Sequence, residues 1–236
     1  MGTDFTNIGY DIYSSEELDD LAKRNTNCLI KRKYKTEPYM ILNGGNTEVW
    51  GYGNNFDSAI PFHCSEQLIT PELENWDDNE ACAAPCYMRI CGNNSFPIYS
   101  MDVEIVNLFE FKSKDTIALQ ICAHVQEMNI YKTKEDFSLK HPKVAPESYL
   151  ASPSSTNDYC PKALINGYIH KIERLTNPLT LCPYYHLQVS TPFGIDFDCY
   201  AETGIINNTV WDLKEDPLVG DIFSGEVYFV AKAFKN

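Results

Sequence analysis

The chain is poor in basic residues: 19 Lys and Arg stand against 33 Asp and Glu, a formal net charge of −14 over 236 residues. A surface that negative repels phosphate backbones and anionic headgroups, so neither nucleic acid nor membrane is an expected partner. Long apolar runs are also missing. None approaches the roughly 18 residues that a bilayer-spanning helix needs, and Met1-Gly2-Thr3-Asp4 does not open a basic-then-apolar leader. The expectation is a cytoplasmic protein. Catalytic signatures are absent as well: no Gly-rich loop closed by Lys-Ser/Thr, no GxGxxG, no GxSxG elbow and no HExxH. No motif recurs at a fixed period, which leaves out repeat architectures. No cofactor is expected and no catalytic residue is assigned.

What the chain does hold is apolar and aromatic. Hydrophobic residues make up 44% and aromatics 13%, enough to bury a core and to exclude global disorder. The 15 Tyr and 12 Phe favour strands over helices. The nine cysteines are odd in number and carry no export signal, so free thiols are expected rather than a disulfide framework. Cys122 and Cys199 sit inside apolar strand patterns, where a thiol serves as a small hydrophobe.

Periodicity predicts an α+β chain that is predominantly antiparallel β. A mixed strand region with short helices spans 1–155, and an OB-like small barrel spans 160–236, the two packed separately or as one domain. Ser14 or Ser15 caps a helix to about Arg24, with carboxylates in its first turn and Lys23 and Arg24 in its last. Strands follow at 28–34, 38–43 and 47–53, the last two joined by an Asn43-Gly44-Gly45-Asn46 turn. Lys31, Arg32 and Lys33 read as the charged edge of a sheet. Residues 54–80 look irregular, and Ser65–Glu80, with six carboxylates and no Lys or Arg, reads as an exposed loop. Strands are predicted at 85–91 and 101–111. The apolar run at 117–130 reads as a central strand buried on both faces. Thr133 caps a short helix, and 151–161 reads as a linker. The barrel strands are expected at 163–173, 184–190, 193–200 and 221–231, with Gly225 at a bulge or corner.

Three stretches carry a resemblance: Phe5-Thr6-Asn7-Ile8-Gly9-Tyr10, the strand through Ala123-His124 leading to Tyr131-Lys132-Thr133, and Thr176-Asn177-Pro178 followed by Tyr184-Tyr185-His186-Leu187-Gln188-Val189. With Gly194-Ile195-Asp196, they resemble an uncharacterised family of bacterial proteins of similar length. That family opens on an Ile-Gly-aromatic motif and closes on an OB-like strand set. The resemblance implies this fold and brings no activity, cofactor or catalytic residue.

Cys82, Cys86 and Cys91, with His63-Cys64 upstream, form the one candidate metal cluster. Their spacing is not that of a zinc knuckle, so ordinary thiols and no metal are expected. His124 reads as a core histidine. Asp196 and Asp198 lie two apart on one strand face and read as the solvated face of a hairpin; the alternative is a metal site or general acid/base pair that Glu226 or Asp221 would complete. Candidate ligand-binding residues on the barrel are Tyr168, Tyr184, His186, Asp196, Asp198 and Tyr200. Candidate partner-binding residues are Glu72, Glu74, Trp76, Asp77, Asp78 and Glu80. The leading functional expectation is a non-enzymatic, acidic protein-binding module, in its specific form an immunity-type inhibitor of a basic partner. The alternative is a small-molecule or oligosaccharide binder using the OB-like face. An enzyme would need Cys, His and Asp to converge in a pocket.

Overall fold

The computed structural model describes residues 4–34, 37–57, 59–65, 67–70, 72–76, 84–91, 94–100, 116, 118–151, 161–206 and 216–234, with 73–76, 84–91 and 94–100 described by their backbone. The strand-rich α+β expectation holds. A 3₁₀ turn (Thr6–Ile8) precedes helix α1 (Ser15–Arg24), and strands β1 (Leu29–Tyr34), β2 (Glu37–Asn43), β3 (Thr47–Tyr52) and β4 (Ala59–His63) form a four-stranded antiparallel meander. Ser14 is the helix cap: its hydroxyl accepts the Glu17 amide at 3.2 Å, and the Glu17 carboxylate accepts the Tyr13 amide at 2.8 Å. β1, with exposed Lys31, Arg32 and Lys33, is an edge strand of this sheet.

The remaining strands are β5 (Glu72–Trp76), β6 (Ala84–Cys91), β7 (Asn94–Ser100), β8 (Ala118–Tyr131), β9 (Ser148–Ala151), β10 (Lys162–Thr176), β11 (Pro183–Ser190), β12 (Asp196–Glu202) and β13 (Ile222–Phe234), with helix α2 (Lys134–Lys140) after β8. They form one sheet in the order β5-β6-β7-β13-β8-β12-β11-β10-β9, and an added β13–β10 pairing closes β13, β8, β12, β11 and β10 into a five-stranded barrel. β12 runs parallel to β8, and the other barrel pairings are antiparallel. This is OB-type pairing with one strand, β8, supplied from the beginning of the set rather than its end.

Several elements differ from expectation. β5 replaces part of the acidic loop: Glu72 pairs with Arg89 and Trp76 with Cys86 across a bulge between Leu73 and Asn75. The bulge breaks the period of two that would have marked the strand. β4 and β9 were not predicted, and both are too short for alternation to declare itself. The predicted strand at 101–111 and most of the 151–161 linker lie outside the described residues. Gly225 is not at a bulge: it pairs in register with Met128 and Ile165, and the β13–β8 ladder shifts between Glu226 and Val227, where Gln126 of β8 is the extra residue.

Two cores follow from the pleat. Leu119, Ile121, Ala123 and Val125 of β8, Phe197, Cys199 and Ala201 of β12, and Phe223, Val227 and Phe229 of β13 fill the barrel. Alternate residues Cys122, Tyr184, Tyr200 and Val230 point outward and share a second core with α1 and the β1–β4 sheet. The 118–125 stretch of β8 is therefore buried on both faces, apart from the half-buried Gln120. A second tie joins sheet and barrel. Lys232 on β13 contacts both carboxylate oxygens of buried Glu48 at 3.1 and 3.0 Å, and Trp50 Nε1 donates to the same group at 2.9 Å.

The N-terminal motif and the Asn177 segment meet. β8 and β12 pair at just two positions before they diverge, and fully buried Asn7 spans the gap. Its Nδ2 donates to Val125 O at 2.8 Å and its Oδ1 accepts the Glu202 amide at 2.9 Å. Asn177 Nδ2 donates to Ile8 O at 2.9 Å. Gly9, at φ 76°, has no room for a side chain: a Cβ would sit 2.7 Å from Cys182 O. An Asn7→Ala variant strands a buried carbonyl and a buried amide, so urea denaturation is expected to show a loss of roughly 2–4 kcal/mol. A loss within experimental error would contradict the bridging role.

Candidate functional site

Four of the six barrel residues expected to bind a ligand come together, but beneath cover. Register places Glu173, His186, Tyr200, His124 and Tyr228 directly opposite one another across β10, β11, β12, β8 and β13. This row faces outward from the barrel, and β4 of the meander lies across it. His63 on β4 stacks on Tyr200 with ring centroids 4.1 Å apart, and its Nε2 shares a 3.0 Å hydrogen bond with the Tyr184 hydroxyl. Pro61 O lies 3.0 Å from His124 Nε2. Tyr184, His186, Asp198 and Tyr200 are consequently 2, 7, 4 and 1% exposed, so a ligand reaching this face would have to displace β4.

The row's charge is internally matched. His186 Nε2 contacts Asp198 Oδ1 at 2.7 Å and its Nδ1 contacts Glu173 Oε1 at 2.9 Å, so the imidazolium satisfies both carboxylates. Burial disfavours that charge, but the hydrogen bonds to Asp198 and Glu173 outweigh it and raise the His186 pKa above its ordinary value. Burial works against charge on Asp198 too, yet His186, Ser65 and Gln188 hold its carboxyl below the usual range. Ser65 Oγ donates to Asp198 Oδ2 at 2.5 Å and accepts the Gln67 amide at 2.8 Å. In Ser65–Asp198–His186 the carboxylate stands in the middle, whereas a serine nucleophile needs imidazole next to the hydroxyl. His63 is the opposite of His186: burial, then the positive charge of His186, push its pKa down to about 4. Cys64 is pushed up to about 11, mainly by burial, and Cys122 and Cys199 are raised by burial as well. These thiols stay protonated at neutral pH.

The other candidates are placed apart. Tyr168 lies opposite Ile222 on the far side of the β10 bulge. Asp196 pairs with His170 at 2.8 Å, while Asp221 and Glu226 pair with Lys132 and Lys162 at 2.9 and 3.0 Å. Asp196 and Asp198 do not face each other, because each carboxylate has a different partner, and Asp198, at 4% exposure, is not on the solvated face the sequence predicts. Of the partner-binding set, Glu72 is in β5, the side chains of Glu74 and Trp76 are not described, and Asp77, Asp78 and Glu80 lie outside the described residues. Cys82 also lies outside them, as do the side chains of Cys86 and Cys91. Among the described residues no group of three metal-ligating side chains converges. Ser65 and Glu173 were missed, and His63 is singled out in the sequence only as a neighbour of the cysteine cluster. Nothing local marks them, since His63 meets Tyr184 across 121 residues of chain.

One face beside the row is open to solvent. Tyr13 is 67% exposed, and Leu181, held at φ 62°, is 76% exposed. The Tyr13 hydroxyl donates to Asp11, with Glu202 and Glu17 close by, and together they raise its pKa. Two adjoining hollows of about 430 and 220 Å³ share Asp11 and Cys182 in their walls. Lys23 Nζ pairs with the Asp20 carboxylate at 2.8 Å, while Arg24 Nε donates to the Asp20 backbone carbonyl at 3.2 Å and lines the larger hollow with Asp11 and Glu17. Asp11, Glu17 and Glu202 form no ion pair among the described residues.

No family model matches the chain, and no curated protein matches it. Among solved structures it is similar to the cytoplasmic molybdate-binding protein ModG with molybdate bound, at 8% identity and a TM-score of 0.37, covering 70% of this chain and 95% of that one. No described helix is long and apolar enough to cross a membrane.

The row sets the acid response of the fold. His63 is neutral in the folded protein and gains a proton on unfolding near pH 6.5, so stability falls as pH drops from about 6.5 towards about 4. Asp198 adds a loss at lower pH, as it is protonated through its depressed folded value. His186 acts in reverse, contributing fully below 6.5 and less as pH rises through its raised value. A His63→Gln variant is expected to remove about 3 kcal/mol of the loss between pH 7 and pH 4, read from urea midpoints. An unchanged pH slope would contradict this assignment.

Proposed function

We propose that the protein is a cytoplasmic, non-enzymatic binding module that captures a basic partner protein through the Tyr13–Leu181 face, as an immunity-type inhibitor would. One observation carries this reading: exposed Tyr13 stands among Asp11, Glu17 and Glu202, none of which forms an ion pair among the described residues, and Leu181, next to Cys182 in the wall of the same hollow, is open to solvent. Interfaces gain most of their energy from a few aromatic anchors that become desolvated. Unpaired rim carboxylates steer a basic surface and discriminate against acidic ones. The net charge of −14 acts in the same direction at longer range. Among the described residues, His186, Asp198 and Ser65 satisfy one another under β4, which supports a non-enzymatic reading. Free Cys28, Cys64, Cys122, Cys182 and Cys199 suit a reducing compartment. The bacterial family resemblance is part of this proposal, supported by the meeting of its first and third stretches at Asn7, Gly9 and Asn177.

A photo-crosslinking residue in place of Tyr13 tests the reading in the native host. The expected adduct is a protein of basic isoelectric point. Its affinity for the purified chain should fall about thirtyfold in Tyr13→Ala, the loss of a hot-spot aromatic. Association should slow in Asp11→Asn/Glu17→Gln and in 0.5 M salt. An acidic adduct, or a basic one whose binding ignores all three changes, would overturn the proposal.

A further inference from the structure

Leu181 lies in the turn that joins β10 to β11, and it is the only non-glycine residue with positive φ among the described residues. At φ 62° a Cβ crowds the backbone, so this left-handed position is one that glycine or asparagine normally fills. The turn leaves no other conformation open. Leu181 N donates to Asn177 O at 2.9 Å, and Asn177 N donates to Cys182 O at 2.9 Å. Asn177 Oδ1 accepts the Leu179 and Thr180 amides at 2.9 and 3.3 Å, and Thr180 Oγ1 accepts the Cys182 amide at 3.3 Å. Buried Asn177 donates to Ile8 O and Thr180 Oγ1 donates to Gly9 O, so the turn is tied to the N-terminal segment at two points.

Packing does not account for a leucine here either. Its side chain is 76% exposed, whereas Leu179, Thr180 and Cys182 around it line the larger hollow with Asp11, Glu17 and Arg24. A lone exposed leucine is ordinary. One held in a strained conformation as well adds nothing to the fold and takes something from it. Strain of this kind persists where the surroundings over-determine it, and it clusters at sites of contact.

We propose that Leu181 is a preformed anchor, an aliphatic knob that a basic partner protein buries in an apolar socket beside its cationic surface. This rests on the reading of the Tyr13–Leu181 face as a capture surface, and it adds a requirement of shape and polarity on the partner. Charge alone steers many basic proteins towards Asp11, Glu17 and Glu202. A rigid apolar knob admits only those with a complementary hollow. Because the turn is locked before contact, the anchor loses little freedom on binding.

A diazirine amino acid in place of Leu181, run in the native host beside the crosslinker in place of Tyr13, tests this together with purified variants of the full chain. The same basic protein is expected at both positions, joined at 181 through apolar residues. Leu181→Asn, which fits the left-handed position, should raise the urea midpoint by about 0.5 M. It should also weaken binding of that protein about thirtyfold. Leu181→Met, which keeps both the strain and the hydrocarbon, should leave the midpoint unchanged and binding within about threefold. A variant that is more stable yet binds less well is a signature that no structural role of Leu181 produces. A basic adduct at 13 with none at 181, full affinity in Leu181→Asn, or a midpoint that does not rise would overturn the anchor and leave the capture surface standing. Absence of a basic adduct at 13 would overturn both.

Discussion

The contact on which the architecture turns is His186 held between Asp198 and Glu173. An imidazolium at this depth is costly unless both nitrogens are answered, and here both are, at 2.7 and 2.9 Å. The charge fixes the register of β10, β11 and β12 on the outer barrel face. That face in turn receives the His63 and Tyr200 rings, and with them the whole β1–β4 meander. Removing one carboxylate would leave a buried positive charge with half its support. The row is therefore a clasp between sheet and barrel, and the two bodies share one apolar core because of it.

This arrangement separates chemistry from contact. His63, His124, His186 and Ser65, with the buried thiols Cys122 and Cys199 beside them, are held inside or against the junction. Two neighbouring histidines are driven apart in pKa, one upward by its carboxylates and one downward by burial and by its charged neighbour. What faces solvent is different in kind: carboxylates outside any ion pair among the described residues, an exposed tyrosine, and aliphatic residues beside them. In the binding role proposed above, recognition would fall to that outer layer, with the interior supplying the rigidity on which such a surface depends.

Much of the barrel was legible in the chain. The alternation in Tyr184–Val189 and Phe193–Asp198, and the uninterrupted apolar run of β8, report faces correctly, since a strand's period of two is a local property. The grouping of Tyr184, His186, Asp198 and Tyr200 was legible for the same reason. What covers that group was not. Outward from a barrel normally means towards water, and only the folded meander, with His63 and Pro61 on β4, reverses the expectation. β5 was hidden by its bulge, and β4 and β9 by their shortness. The exposed Tyr13 and Leu181 have no sequence signature at all, because exposure at a given apolar position is decided by packing elsewhere.

The central claim is that the histidines of the junction are a closed, charge-matched clasp rather than a solvent-facing site. Ring nitrogen chemical shifts of His186 and His63, followed from pH 3.5 to 8, test it most directly. The account predicts that His186 remains an imidazolium above pH 6.5, with both nitrogens protonated, while His63 stays neutral down to about pH 4. Two histidines titrating together near pH 6.5, as freely solvated rings do, would contradict it.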